Sequence, residues 1–239
     1  MRVGIARAAI STALVVVGYF GLTACRIAWA APNNEAESAA ADPLVTEART
    51  FSVKVDGKPA GTFTITSKPD DAAATITVSA VADIQIRKGP FTYKYSLRSS
   101  ETWKGDRVTA LDSTANDDGK RHSVKATAAD GGLTVTANGR VRAGRADVLT
   151  TTGWRGPDPK ARDVNLLDTE DGSETVVQVQ TLGACQVAIN GQIVDGQRYR
   201  LTGKGVDTEW WFDATGRPIH QRMIWDGHKV VMDLTGVSK

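Results

Sequence analysis

From Thr46 to the C-terminus the chain alternates apolar and polar positions in short runs rich in Val, Thr and Ile. The runs are punctuated by turn dipeptides. Asp-Gly stands at 56-57, 118-119, 130-131, 171-172, 195-196 and 226-227, and Asn-Gly at 138-139 and 190-191. Such pairs supply the positive φ angles that tight hairpins demand, so a series of them between β-branched runs predicts an antiparallel meander. No helical stripe, heptad or βαβ spacing interrupts it. The expected fold class is all-β: an antiparallel meander curled into a barrel or an unclosed half barrel.

The alternation assigns faces. In Phe91–Trp103 one side carries Phe91, Tyr93, Tyr95, Leu97, Ser99, Glu101 and Trp103, and the other Thr92, Lys94, Ser96, Arg98, Ser100 and Thr102. That strand is expected to be buried on one side and wet on the other. With Asp226-Gly227 as a two-residue turn, Trp225 faces His228, Met223 faces Val230, Gln221 faces Met232 and Ile219 faces Leu234. A long sheet with one apolar face has to cover it. Without helices it does so by curling on itself or by packing as a sandwich.

The first residues have a different pattern. Arg2 and Arg7 precede an apolar run from Ala8 to Leu22, which has the length and flanks of an export signal. Two processing sites compete: Ala28-Trp29-Ala30, cut before Ala31, and Leu22-Thr23-Ala24-Cys25, whose cysteine would carry a lipid. Arg26 and the apolar Ile27–Ala30 are unusual directly after an acylated cysteine, so soluble export to the periplasm is the preferred expectation and Cys25 lipidation the minority one. Residues 1-30 are read as signal, 31-45 as a tether rich in Ala, Asn, Glu and Ser, and 46-239 as one β domain.

The signal also explains the basic balance. The whole chain is +2, but residues 1–30 hold three arginines and no acid, which leaves 26 basic and 27 acidic residues beyond them. That balance gives no clustered positive charge for nucleic acid. With Cys25 in the leader, Cys185 stands alone, so no internal disulfide is expected. Its setting in Val179–Val187 is that of a small strand hydrophobe.

Several stretches resemble a bacterial secreted family of unknown function. They are Tyr93–Trp103 followed by Thr114–Lys120, Phe51–Lys58 with Gly61, Tyr199–Gly203, and Trp210-Trp211-Phe212-Asp213. The general build looks, more distantly, like the lipoprotein-carrier type of half barrel. That resemblance implies a concave apolar cavity and carries no catalytic residues with it.

The standard catalytic motifs are absent: no G-x-S-x-G, S-x-x-K or H-E-x-x-H occurs. His220 and His228 lie about 17 Å apart along their hairpin and on opposite faces, so no shared metal is expected. His220 should meet Asp233 across the ladder. His122 falls in the row of Leu97, about 15 Å from Glu101, too far for a dyad. Glu101 lies on the apolar face and must be paired, hydrogen-bonded or protonated there. Trp210 and Trp211 point to opposite sides, one toward the core or cavity and the other toward the surface or rim.

The leading functional expectation is a non-enzymatic envelope protein that carries an apolar, lipid-like ligand. Its contacts would be Tyr93, Tyr95, Leu97, Glu101, Trp103, Met223 and Trp225, with no metal and no cofactor. Membrane association would come only through a lipid on Cys25. The alternatives are a small cavity enzyme of isomerase, cyclase or hydrolase type using Glu101, and a purely structural envelope module.

Overall fold

A computed structural model describes residues 45–239; the signal, Cys25 and nearly all of the tether lie outside them. Fifteen strands follow in order: β1 Glu47–Val55, β2 Lys58–Asp70, β3 Thr75–Lys88, β4 Phe91–Lys104, β5 Arg107–Asp117, β6 Lys120–Ala129, β7 Gly132–Ala137 and β8 Arg140–Arg145. Then come β9 Val148–Thr150, β10 Asp163–Leu167, β11 Glu174–Ile189, β12 Gln192–Gly203, β13 Val206–Asp213, β14 Pro218–Trp225 and β15 His228–Ser238. All belong to one sheet, and there is no helix among the described residues.

The order across the sheet is β8 through β1, then β15 back through β9. The chain thus meanders outward to β8, and its second half meanders back until β15 pairs with β1. Every ladder is antiparallel except β9 on β10. The result is a nearly closed barrel whose two free edges, β8 and β9, follow one another in sequence.

Turn chemistry explains most of this meander. Asp56-Gly57, Asp118-Gly119, Asn138-Gly139, Asn190-Gly191 and Asp226-Gly227 all have positive φ at both positions, the geometry that matches strand twist. At Asp130-Gly131 and Asp171-Gly172 only the glycine has positive φ, and Asp195-Gly196 is not a turn. It lies inside β12, where a Cβ on Gly196 would come within 2.6 Å of the Phe212 carbonyl oxygen. That glycine serves close strand approach instead of a turn.

One row shows how the inner wall is built. Phe51, Phe63, Ala82, Leu97, Ala115 and His122 are cross-strand partners in succession from β1 to β6. The first five are buried, and fully burying a Phe or Leu contributes roughly 1.5–3 kcal/mol. Alanines between larger residues let a curved wall fill without crowding. The β14–β15 register has Trp225 opposite His228, Met223 opposite Val230 and Gln221 opposite Met232, as the turn predicts.

The seam between β8 and β9 is bridged by side chains. Arg142 on β8 pairs with Glu174 at 2.9 Å and also donates to the Gly172 carbonyl. β9 turns inward, burying Val148 and Thr150. Past it, Trp154 packs edge-on against Trp103 of β4 at 5.6 Å. The segment between β9 and β11 therefore fills the lumen that the outer meander encloses.

Trp210 and Trp211 correct one expectation, because both are buried. Trp210 packs edge-on against Phe212, while Trp211 is covered by the guanidinium groups of Arg198 and Arg222 at 4.9 and 5.8 Å and by the His220 ring. Glu209 holds both arginines in place. Charged side chains with long stems have turned an outward tryptophan into an interior one.

Candidate functional site

Within the barrel lies a cavity of about 200 Å³. Its apolar wall includes Tyr95 and Leu97 from β4, Met223 and Trp225 from β14, and Met232 from β15. Its polar wall comes from the inserted segment, through Thr151, Thr152, Asp168, Thr169 and Glu170, and from Gln221. Tyr93 and Tyr95 both meet the Trp225 ring edge-on, at 5.9 and 5.2 Å. These contacts join β4 to β14 across the lumen, beside the cavity.

Four of the seven residues expected from sequence, Tyr95, Leu97, Met223 and Trp225, line this space. Tyr93 stands behind Trp225. Glu101 and Trp103 are corrections: both are fully buried and neither lies on the cavity wall. The Glu101 carboxylate accepts the Trp103 indole N–H at 2.8 Å and the Thr150 hydroxyl at 3.0 Å. Burial pushes its carboxyl up to about 7, against the hydrogen bonds from Trp103, Thr152 and Thr150 that favour the charged form. Phe91, assigned to the same face by alternation, is 76% exposed because it begins β4 beyond the packed interior.

A second group of polar side chains gathers at the opposite end of β4. Asp117 ends β5, directly across from Tyr95, and His122 follows on β6. Glu170 reaches them from the loop between β10 and β11. One ligand atom from each of Asp117, His122 and Glu170 lies within 4.8 Å of the others. His122 is only partly buried as a residue, yet both its ring nitrogens are buried and have no hydrogen-bond partner among the described residues.

The two carboxylates are held from behind. The Tyr93 hydroxyl donates to Asp117 at 2.6 Å, and the Tyr95 hydroxyl bonds Glu170. Burial, with the neighbouring acids, raises the pKa of both tyrosines, so they stay neutral donors. Burial also raises Glu170, and the charges of Asp168 and Asp117 add to that shift.

The loop carrying Glu170 is fixed by its own sequence. Asp168 accepts the backbone N–H groups of Glu170 and Asp171 at 2.7 and 3.4 Å, an Asx turn. Gly172 has φ of 74° and lies so near the wall that a Cβ there would be 2.8 Å from the Ala137 Cβ and 3.2 Å from Val124. Sequence reasoning searched for paired histidines and missed this union of one histidine with two acids. The available signals were His122 on the inner row and Asp-Gly at 171-172 in a segment without strand alternation.

The other two histidines have partners. His220 meets Asp233 at 2.9 Å as expected; it is half-buried, and desolvation lowers its pKa. His228 pairs with Asp56 at 2.7 Å. Cys185 lies half-buried on β11 against the core, and burial raises its thiol pKa. An open cleft of about 640 Å³ lies elsewhere, beside Trp154, Arg155 and Arg217.

A single, almost closed antiparallel sheet with an occupied lumen defines this as a β-barrel-like protein. The chain belongs to the family described as a domain of unknown function, DUF6134, which matches residues 51–235. Among curated proteins none matches it. It is similar in fold to the crystal structure of a β-barrel-like protein of the DUF1849 domain of unknown function from Brucella abortus. That likeness has a TM-score of 0.61 at 10% identity and covers 82% of this chain and 98% of the other.

Proposed function

We propose that this is an exported envelope protein that binds a small apolar molecule, or the end of a longer one, inside its barrel. The observation that carries the reading is the interior cavity of about 200 Å³ with aromatic and methionine walls. A dry cavity of about 150 Å³ already takes up benzene, whereas drug-sized sites run from about 300 Å³ upward. The size therefore favours one ring or one hydrocarbon segment over a whole lipid. Flexible Met223 and Met232 suit a site that accepts varied shapes.

The polar wall adds an orientation rule. Asp168 and Glu170 offer acceptors, so the favoured ligand is amphipathic with a hydrogen-bond donor at one end. Export rests on the sequence of the first thirty residues. Glu101 lies off the cavity wall, so the enzymatic reading built on it gains no support from this cavity.

Leu97→Trp tests the proposal, because it fills the cavity from a wall position. Binding of a naphthylamine fluorescent probe should weaken at least tenfold while the melting temperature stays within a few degrees of wild type. A wild-type protein that takes up no probe, combined with a variant losing about 1–3 kcal/mol from over-packing, would show a filled core and sink the reading.

A further inference from the structure

We infer that Asp117, His122 and Glu170 form a binding site for one divalent transition-metal ion of the zinc class, beside Tyr93 and Tyr95 and next to the cavity. The ligand atoms of the three residues lie within 4.8 Å of one another. Donor atoms at about 2.1 Å from one tetrahedral zinc stand about 3.4 Å apart. Bringing these ligands onto an ion therefore needs the widest pair to close by up to roughly 1.4 Å, within reach of side-chain rotations.

Two features favour an ion over an internal ion pair. First, both His122 nitrogens are buried and unbonded, and a buried polar group without a partner is costly. A histidine serving as counter-ion would place an N–H on a carboxylate oxygen, and none does so here. Second, the two carboxylates already have oriented backing from tyrosine hydroxyls, the arrangement that fixes ligands around a metal.

The donor set limits the choice of ion. One imidazole and two carboxylates suit zinc, cobalt or manganese better than the all-oxygen sites of calcium and magnesium. Three protein ligands leave a coordination position for water or for a donor atom of a cavity ligand. Glu170 belongs to both the triad and the cavity wall, so that position adjoins the bound molecule. Metal binding itself requires no second ligand and is testable apart from the cavity reading.

The full chain, stripped with chelator, is titrated with Co²⁺ and followed by its visible d–d absorption, then challenged with Zn²⁺. One ion per chain should bind, and Zn²⁺ should displace it. His122→Ala and Glu170→Gln should each lower affinity by about a hundredfold or more, and Tyr93→Phe by about tenfold as an outer support. His228→Ala should leave binding unchanged. Ring-nitrogen NMR of the unmodified protein guards against a variant that fails to fold: Zn²⁺ should shift His122 and leave His220 and His228 in place. Absence of stoichiometric binding, retention of affinity in His122→Ala, or shifts confined to the other histidines would overturn the assignment.

Discussion

The inner face of β4 carries two polar centres of opposite character. At one end Glu101 is fully buried: its Oε2 accepts from the Trp103 indole and the Thr150 hydroxyl, while its Oε1 has no partner among the described residues. At the other end, Asp117, His122 and Glu170 converge with two ring nitrogens unused. Both centres face inward, although Glu101 is fully buried and Asp117 and Glu170 only half-buried. Both leave a buried polar atom unpaired, but only the second gathers ligand atoms from three residues at one point. The contrast between them lies in convergence, and burial or an unpaired oxygen alone says little.

The largest effect that sharpens this contrast is on stability. Glu101→Ala removes the acceptor of two buried donors and leaves a void, so urea unfolding should show a loss of roughly 3–5 kcal/mol. Glu170→Ala, on a half-buried loop, should cost under about 1 kcal/mol while abolishing metal uptake. Equal losses at the two positions would erase the distinction between structural and binding acid.

The next effect is a pH dependence. Folded Glu101 keeps its proton to about pH 7, whereas its ordinary value is 4.5. Between those values the folded state binds more protons than the unfolded state, so stability falls as pH rises. The loss attributable to Glu101 is on the order of 3 kcal/mol. Glu101→Gln, neutral throughout, should flatten this slope relative to wild type in denaturation curves at pH 4.5, 6 and 8. An unchanged slope would mean that the carboxylate is already well accommodated as a charge.

The smaller effects concern support. Gly172→Ala, strained by positive φ and by contact with Ala137, should cost about 1 kcal/mol and weaken Co²⁺ binding by shifting Glu170. Arg142→Met breaks a partly exposed ion pair and should cost about 1 kcal/mol at most. Its signature is faster amide exchange in β8 with little change near Glu101.

The same contrast shows which parts of the molecule were legible in the sequence. Local rules carried the hairpins: Asp226-Gly227 set the register from Gln221 opposite Met232 to Trp225 opposite His228, and alternation placed Leu97, Glu101 and Trp103 inside. They also put His122 in the Leu97 row. What they could not supply was the contact of that row with the β10–β11 loop, since Glu170 is 48 positions from His122 along the chain and its loop has no alternation to read. For the same reason, alternation made Glu101 look like a cavity group. The Thr150 that seals it arrives through the inward turn of β9, an event that no periodicity encodes.

The seam carries a consequence for the solution behaviour of the chain. β8 offers a row of backbone groups on its outer side, with Val141 69% exposed, and such an edge invites a strand from another molecule. Its sequence, Arg140-Val141-Arg142-Ala143-Gly144-Arg145, opposes that. An incoming strand would have to pull Arg142 from Glu174 and Arg145 from Asp147. The gap in the barrel is thus guarded by ion pairs that a neighbouring strand would have to break, which opposes continuing the sheet into a fibre.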